Sequence, residues 1–177
     1  RRRNKMLGLL SEGKVKRDAF GYFDQIIVNA GKYLQIKRHE LIDSLNEWLN
    51  NDVNFRTIRL KYDESKISWE RLKQYEDQEV RVGNTLVGPH KDDLIVEMNF
   101  GGENYQLLEK YGSRGQMRIG ALALKLGELE VMSAFYKSRP ILLLDDVLSE
   151  LDEVNQNIVI KAMEKQQTIV TGVDKFI

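Results

Sequence analysis

The stretch ILLLDD, residues 141–146, constrains the chain more than any other. Four consecutive apolar residues followed by two carboxylates do not alternate like a half-solvated strand. They describe a short strand buried on both faces that delivers two acids to its carboxyl end. A helix of about ten residues and a second apolar strand, QTIVT (167–171), follow. Strand, helix and strand in that order predict an α/β fold with a parallel sheet flanked by helices, because parallel neighbours require a crossover. Ligands of open parallel sheets bind beyond the carboxyl ends of the strands, where Asp145 and Asp146 are expected. Adjacent carboxylates repel unless a proton or cation lies between them, and Mg²⁺ is the natural partner. The plainer alternative is a doublet that only terminates the strand.

Upstream, YGSRGQMR (111–118) opens a helix expected over 116–137. Ser113 and Gln116 form an S-x-x-Q capping box. Gly112 and Gly115 permit close backbone approach, the helix start offers free N–H groups, and Arg114 and Arg118 add positive charge. That set suits a phosphate, although an ordinary capped helix with exposed arginines reads the same way.

The first half has another character. Phe20, Ile27, Leu34, Leu41 and Trp48 recur every seven residues, with Phe23 and Ala30 between them, predicting a long helix over 18–50 that packs on a neighbour like an arm. Residues 55–62 alternate as a half-buried strand, and Ser68 caps a short helix with Trp69, Leu72 and Tyr75 on one side. Over 85–108, TLVGPH reads as a strand ending in a Gly-Pro turn. LIVEMNF, with Leu94, Val96, Met98 and Phe100 on one face, forms a hairpin with YQLL.

Charge is balanced, 27 basic against 27 acidic residues, so no global field points to a polyanion or a membrane. Locally, residues 1–17 carry seven bases (Arg1, Arg2, Arg3, Lys5, Lys14, Lys16, Arg17) and only Glu12, while 145–153 carry five acids and no base. The basic run is either a solvated helix end or a phosphate contact. Cysteine is absent, excluding disulfides, thiolate metal sites and a thiol nucleophile. No apolar run approaches the roughly twenty residues of a membrane span, so the expected location is a reducing cytoplasm. GLLSEGKV (8–15) fits a phosphate-loop pattern but lacks the preceding apolar strand and ends in Val15 where Mg²⁺ binding needs Ser or Thr. His90, in GPHKDD beside Lys91, either polarises a phosphate or bonds to backbone in a turn. His39 lies in a charged run and is expected in solvent.

Taken together, GPHKDDL (88–94), GSRGQMR (112–118) and LLLDDVLSELD (142–152) resemble the RecF family, over nearly the whole chain. The order is similar to signature motif, Walker B and D-loop in the C-terminal half of an ABC/SMC-like P-loop ATPase head. The resemblance implies a helical arm subdomain with one strand over 1–84 and the head portion over 85–177. It implies Asp145 beside the Mg²⁺ of bound ATP, and Asp146 as the catalytic carboxylate where most such ATPases have glutamate. Asp152 would be the D-loop acid at a dimer interface. Ser113, Arg114, Gly115 and Gln116 would be signature residues acting in trans on the partner's ATP, Arg114 replacing the usual first glycine. His90 and Lys91 are further candidates. IVTGVD (169–174) lacks the histidine that ABC proteins usually place there.

The family resemblance also implies bacterial cytoplasmic repair, replication and SOS functions. An ATP-driven dimer would clamp DNA at single-strand/double-strand junctions and help RecO and RecR load RecA. The intact family member is a slow ATPase. This chain alone is expected to be inactive, since the true phosphate loop is not in it. The alternatives are a nucleotide-independent DNA- or protein-interaction module and another SMC-like head.

Overall fold

A computed structural model describes residues 2–148 and 151–172. Expectations that fall on Arg1, Ser149, Glu150, Val173 and Asp174 lie outside the described residues. The elements are helices α1 (Arg2–Ser11), α2 (Gly21–Asn51), α3 (Trp69–Gln74), α4 (Glu76–Val82), α5 (Leu108–Tyr111), α6 (Arg114–Tyr136) and α7 (Glu153–Met163) and strands β1 (Ile58–Asp63), β2 (Asp93–Met98), β3 (Gln106–Leu107), β4 (Leu142–Asp145) and β5 (Thr168–Thr171), in the order α1-α2-β1-α3-α4-β2-β3-α5-α6-β4-α7-β5. Among the described residues no helix is long and apolar enough to cross a membrane.

The chain divides into two compact units. One takes in the residues up to Ile42 together with Tyr62–Ile95; the other takes in Asp43–Lys61 and the described residues from Val96 onward. Three elements, α2, β1 and β2, run from one unit into the other.

In the first unit, Val28, Ile67, Leu72 and Val87 are buried together, with Ile27 and Tyr75 packed against them. Gly31 lets the GPHKDDL turn reach α2, since a Cβ there would stand 2.9 Å from Ile67 Cγ2 and 3.2 Å from Pro89 Cδ. The long helix forms where expected, but its buried row differs from the sequence expectation. Leu34 and Leu41 are exposed and Ile27 and Trp48 half-buried, whereas Asp24, Val28, Gly31 and Gln35, then Leu45 and Leu49, are buried. The spacing keeps the alternating three and four of a packed helix. Polar residues occupy part of the row, each with a partner distant in sequence.

Those partners also revise the reading of the basic run. Arg3 is buried and donates to Asp24 Oδ1 at 2.8 Å, Glu79 Oε2 at 2.6 Å and Thr85 Oγ1 at 2.7 Å. Arg17 pairs with Asp24 Oδ2 at 2.9 Å and Glu76 Oε1 at 2.5 Å. Two of the seven bases are therefore tied to acids of their own unit, Arg3 in the interior and Arg17 half-buried, and their charges are already matched. Around Asp92, Gln35 Nε2 donates to Oδ1 at 3.0 Å, Ser65 N–H to Oδ1 at 2.9 Å, Arg38 Nη1 to Oδ2 at 2.8 Å, and the Tyr62 hydroxyl to Oδ2.

Residues 85–88 do not form the expected strand. Thr85 N–H donates to Asn4 Oδ1, Leu86 N–H to Glu79 Oε1, and Gly88 N–H to the Ser65 carbonyl. Side-chain and loop acceptors thus satisfy the amides a strand would have paired. Ser68 caps α3 as expected, but Trp69 is exposed and only Leu72 of its face is fully buried.

In the second unit the alternation of β1 holds, with Ile58 and Leu60 buried. The sheet order is β1-β2-β3, and β2 pairs antiparallel with β3 as Glu97↔Leu107 and Met98↔Gln106, the expected hairpin. The strand stops at Met98, short of Phe100, and Leu94 is exposed. Glu97 is buried on the polar side by Arg59 Nη2 at 2.5 Å and Lys61 Nζ at 2.8 Å. Burial works against its ionisation, but those two hydrogen-bonded cations hold its carboxyl below the usual range.

Strands β4 and β5 pair in parallel, Leu142↔Thr168 through Asp145↔Thr171, with α7 as the crossover. The strand forms at Leu142–Asp145, but it is not buried on both faces as expected: only Leu144 is buried and Leu143 is 69% exposed. Among the described residues β4 has a strand neighbour on one side only, β5.

Candidate functional site

The carboxyl end of β4 carries the two acids. The Thr171 hydroxyl donates to Asp145 Oδ1. Asp146 N–H lies 3.1 Å from the Thr171 carbonyl oxygen and 3.3 Å from its Oγ1. Asp146 itself adopts φ +51°, a left-handed conformation that aspartate tolerates at a cost of about 1 kcal/mol. Both acids are exposed. The strand therefore ends in a locked turn that presents carboxylates to solvent, as an α/β ligand site requires, and neither acid is lost in dry packing. The role of Thr171 was missed in the sequence. Its signal was the parallel register that sets it opposite Asp145.

Asp145 and Asp146 line a cavity of about 730 Å³ with Val147 and Leu151. On the α6 side Arg118 and Lys125 supply the basic part of the lining. Most of this lining is apolar (Leu122, Leu129, Met132, Leu142 and Leu144), and of the α6 residues expected to meet phosphate only Arg118 reaches it; Ser113, Arg114, Gly115 and Gln116 do not line it. Mg²⁺ takes one or two carboxylates and completes its shell with water and phosphate oxygens. Asp145 and Asp146 supply that number. Among the described residues no cluster of three or more acids and histidines offers a closed protein cage.

The start of α6 forms the expected capping box. Gln116 N–H donates to Ser113 Oγ at 3.2 Å and Ser113 N–H to Gln116 Oε1 at 2.8 Å. Met117 N–H reaches the Ser113 carbonyl at 2.9 Å. Of the four residues expected to meet phosphate, Ser113 and Gln116 are engaged in this cap. Arg114 and Gly115 lie exposed in the first turn, where helix geometry gives the amides no intrahelical acceptor. A Cβ on Gly115 would meet nothing closer than Ser113 Oγ at 3.9 Å, so that backbone is open to a ligand. Gly112 differs: a Cβ there would stand 2.6 Å from the Leu108 carbonyl oxygen, so its role is packing.

Asp152 caps α7, its Oδ1 accepting Asn155 N–H and Nδ2, both at 2.9 Å. His90 and Lys91 belong to the first unit, whereas the other candidates belong to the second. His90 Nε2 lies 2.9 Å from the Thr85 carbonyl, the backbone-bonded turn histidine that was the plainer alternative. Residues 8–15 are the end of α1 and the turn after it, with Lys14 paired to Glu12 at 2.6 Å, where a phosphate loop would follow a strand.

No protein-family model matches the chain. The DNA replication and repair protein RecF of Lachnoclostridium phytofermentans is 35% identical over 185 residues, covering 99% of this chain and 50% of its own length. RecF of Bacillus cytotoxicus is also 35% identical, covering 96% of this chain and 49% of its own length. The chain belongs to the RecF family. A solved structure of the recombination mediator protein RecF with ATP superimposes at a TM-score of 0.74, with 26% identity over 99% of this chain and 50% of that one. A second, with ATPγS, gives 0.75 and 27%. The chain thus spans about half the length of the RecF proteins it matches and shares their ABC/SMC-like ATPase fold, corresponding to the C-terminal half.

Proposed function

We propose that this chain is the arm (residues 1–84) and C-terminal head portion (85–177) of a RecF-type ATPase, whose ATP-dependent dimer clamps DNA at single-strand/double-strand junctions and supports RecA loading with RecO and RecR. The observation that carries the reading is the turn at the end of β4, where Thr171 fixes Asp145 and Asp146 as exposed carboxylates in a hollow shared with Arg118. A relative of this fold has been solved with ATP, which supports a nucleotide as the ligand.

In this reading Asp145 serves Mg²⁺, which when bound neutralises charge on the phosphates. Asp146 orients or deprotonates the attacking water. The open amides of Arg114 and Gly115, held by the Ser113–Gln116 cap, receive the γ-phosphate of ATP carried by a second copy, and Arg114 adds a full charge where glycine is usual. Asp152, fixed as the cap of α7, lies at the same interface. The phosphate loop comes from the half of the relatives that this chain does not match. A long SMC-type coiled coil is disfavoured, because α2 ends at Asn51 and β1 begins seven residues later, at Ile58.

The test is complementation in the full-length protein. Asp146→Asn and Ser113→Arg each abolish hydrolysis alone. Mixed, heterodimers closed by their one intact composite site, Asp146 of one copy facing Ser113 of the other, restore hydrolysis that neither variant shows alone. It stays below the roughly one quarter of wild-type turnover that random assortment would give, because Ser113→Arg dimerises poorly. A mixture as inactive as its parts would refute a site shared between copies.

A further inference from the structure

Between Gly101 and Ile119 one residue, Leu108, is buried, at 5% exposure. It opens the short helix α5, whose other members, Glu109, Lys110 and Tyr111, are exposed. Its place is inherited from the sheet, because Leu107 beside it pairs with Glu97 of β2, and Glu97 is held by Arg59 and Lys61. A single apolar side chain thus ties the segment that enters α6 to the body of its unit.

Two glycines receive that side chain. A Cβ on Gly112 would stand 2.7 Å from Leu108 Cδ1, and a Cβ on Gly120 would collide with Leu108 Cδ2. Each methyl group fills a notch that only glycine leaves open, one just before the Ser113–Gln116 cap and one in the second turn of α6. Gly112 N–H also donates to the Leu108 carbonyl at 2.8 Å. The cap's own hydrogen bonds join Ser113 to Gln116 and Met117, so they fix its shape but not where it stands. Leu108 supplies the second constraint.

From these contacts we propose that Leu108 is a positioning residue for the nucleotide interface: clamped between Gly112 and Gly120, it sets the height and angle at which the exposed Arg114–Gly115 peptide meets the γ-phosphate held by a second copy. The inference rests on the role of the α6 start proposed above. Leu108 touches no nucleotide in this reading and acts through the backbone on either side of the cap. A misplacement of roughly 1 Å in a group that must meet a reacting ligand can cost about a hundredfold. Gly127 offers an internal comparison. It lies further along α6, remote from the cap, where a Cβ would stand 3.0 Å from both Leu45 Cδ2 and Trp48 Cε3.

The experiment is sedimentation of the full-length protein with ATP, with ATP affinity measured separately on the monomer. Gly120→Ala adds helix propensity but expels the Leu108 methyl group. It should weaken the ATP-dependent dimer at least about tenfold while ATP affinity keeps its wild-type value. Gly120→Ala/Leu108→Val, which lacks the displaced methyl groups, should regain most of that loss. Gly127→Ala should leave the dimer near wild-type strength even where it alters Tm. Circular dichroism checks folding, and Leu108→Ala, which empties both notches, gives a second reading of the same constant if Gly120→Ala does not fold. Wild-type dimerisation in Gly120→Ala or Leu108→Ala, a double variant no better than Gly120→Ala, a matching loss of ATP affinity, or equal weakening by Gly127→Ala would overturn the proposal. The two readings fail separately. If Ser113→Arg dimerises with ATP, the α6 start does not act between copies and Leu108 has nothing to position; if Ser113→Arg stays monomeric while Gly120→Ala dimerises normally, the role of Leu108 alone is wrong.

Discussion

Asp92→Asn should cost more than any other conservative change in the GPHKDDL turn. The Asp92 side chain is 1% exposed and accepts from four groups: Gln35, Arg38, Tyr62 and the Ser65 amide. Burial alone would raise its pKa. The hydrogen bonds from Tyr62, Gln35, Ser65 and Arg38 outweigh burial and hold it below the ordinary carboxylate range. An asparagine keeps one acceptor atom, but turns an NH₂ toward donors and leaves Arg38 without its anion. Arg38 is 38% exposed and keeps its bond to the Pro89 carbonyl, so the cost is set by the mismatched donors at the buried side chain, about 2–4 kcal/mol. At this chain size that is a fall in Tm of roughly 4–16 °C, read by circular dichroism at pH 7. The sign of the pH dependence follows from the depressed pKa. The carboxylate's contribution is present above about 3.9 and is lost as pH falls through the lower folded value. The gap between wild type and variant should therefore be constant from pH 5 to 8 and close in stronger acid. A variant within about 1 kcal/mol of wild type, or a gap that persists unchanged in acid, would refute the reading of Asp92 as an ionised acceptor on which these four donors depend.

Other outcomes follow from the same geometry. Arg3→Met leaves Glu79 buried without its cation and should destabilise by about 3–5 kcal/mol in a denaturant titration; loss of DNA binding in such a variant would therefore report unfolding, not a lost phosphate contact. Gly31→Ala gains about 1 kcal/mol of helix propensity but forces a Cβ against Ile67 and Pro89, so a net loss is expected, and a gain in Tm would show that the Pro89 turn gives way. The chain by itself should show no steady ATP hydrolysis in a phosphate-release assay, and turnover abolished by Asp146→Asn would contradict that.

The parts legible in the sequence were those encoded within a few residues. The Ser113–Gln116 box, the Ser68 cap, the β1 alternation and the apolar run before Asp145 each carry their own explanation in local spacing. What escaped depended on distant partners. The buried row of α2 passes through Asp24 and Gln35, which hydropathy assigns to solvent until Arg3 and Asp92 come to meet them from 21 and 57 residues away. The segment 85–88 looked like a strand because its amides' acceptors, Asn4, Glu79 and Ser65, are invisible to a local pattern. Thr171 was hidden for a related reason, since only the β4–β5 register sets it against Asp145.

The central claim, that the α6 start acts on nucleotide held by another copy, is tested most directly by sedimentation of the full-length protein with and without ATP. Wild type should shift from monomer to dimer on ATP addition. Ser113→Arg, which places bulk and charge at the open amides, should bind ATP with unchanged affinity and stay monomeric. A Ser113→Arg protein that dimerises normally with ATP, or that loses ATP binding as a monomer, would contradict the account.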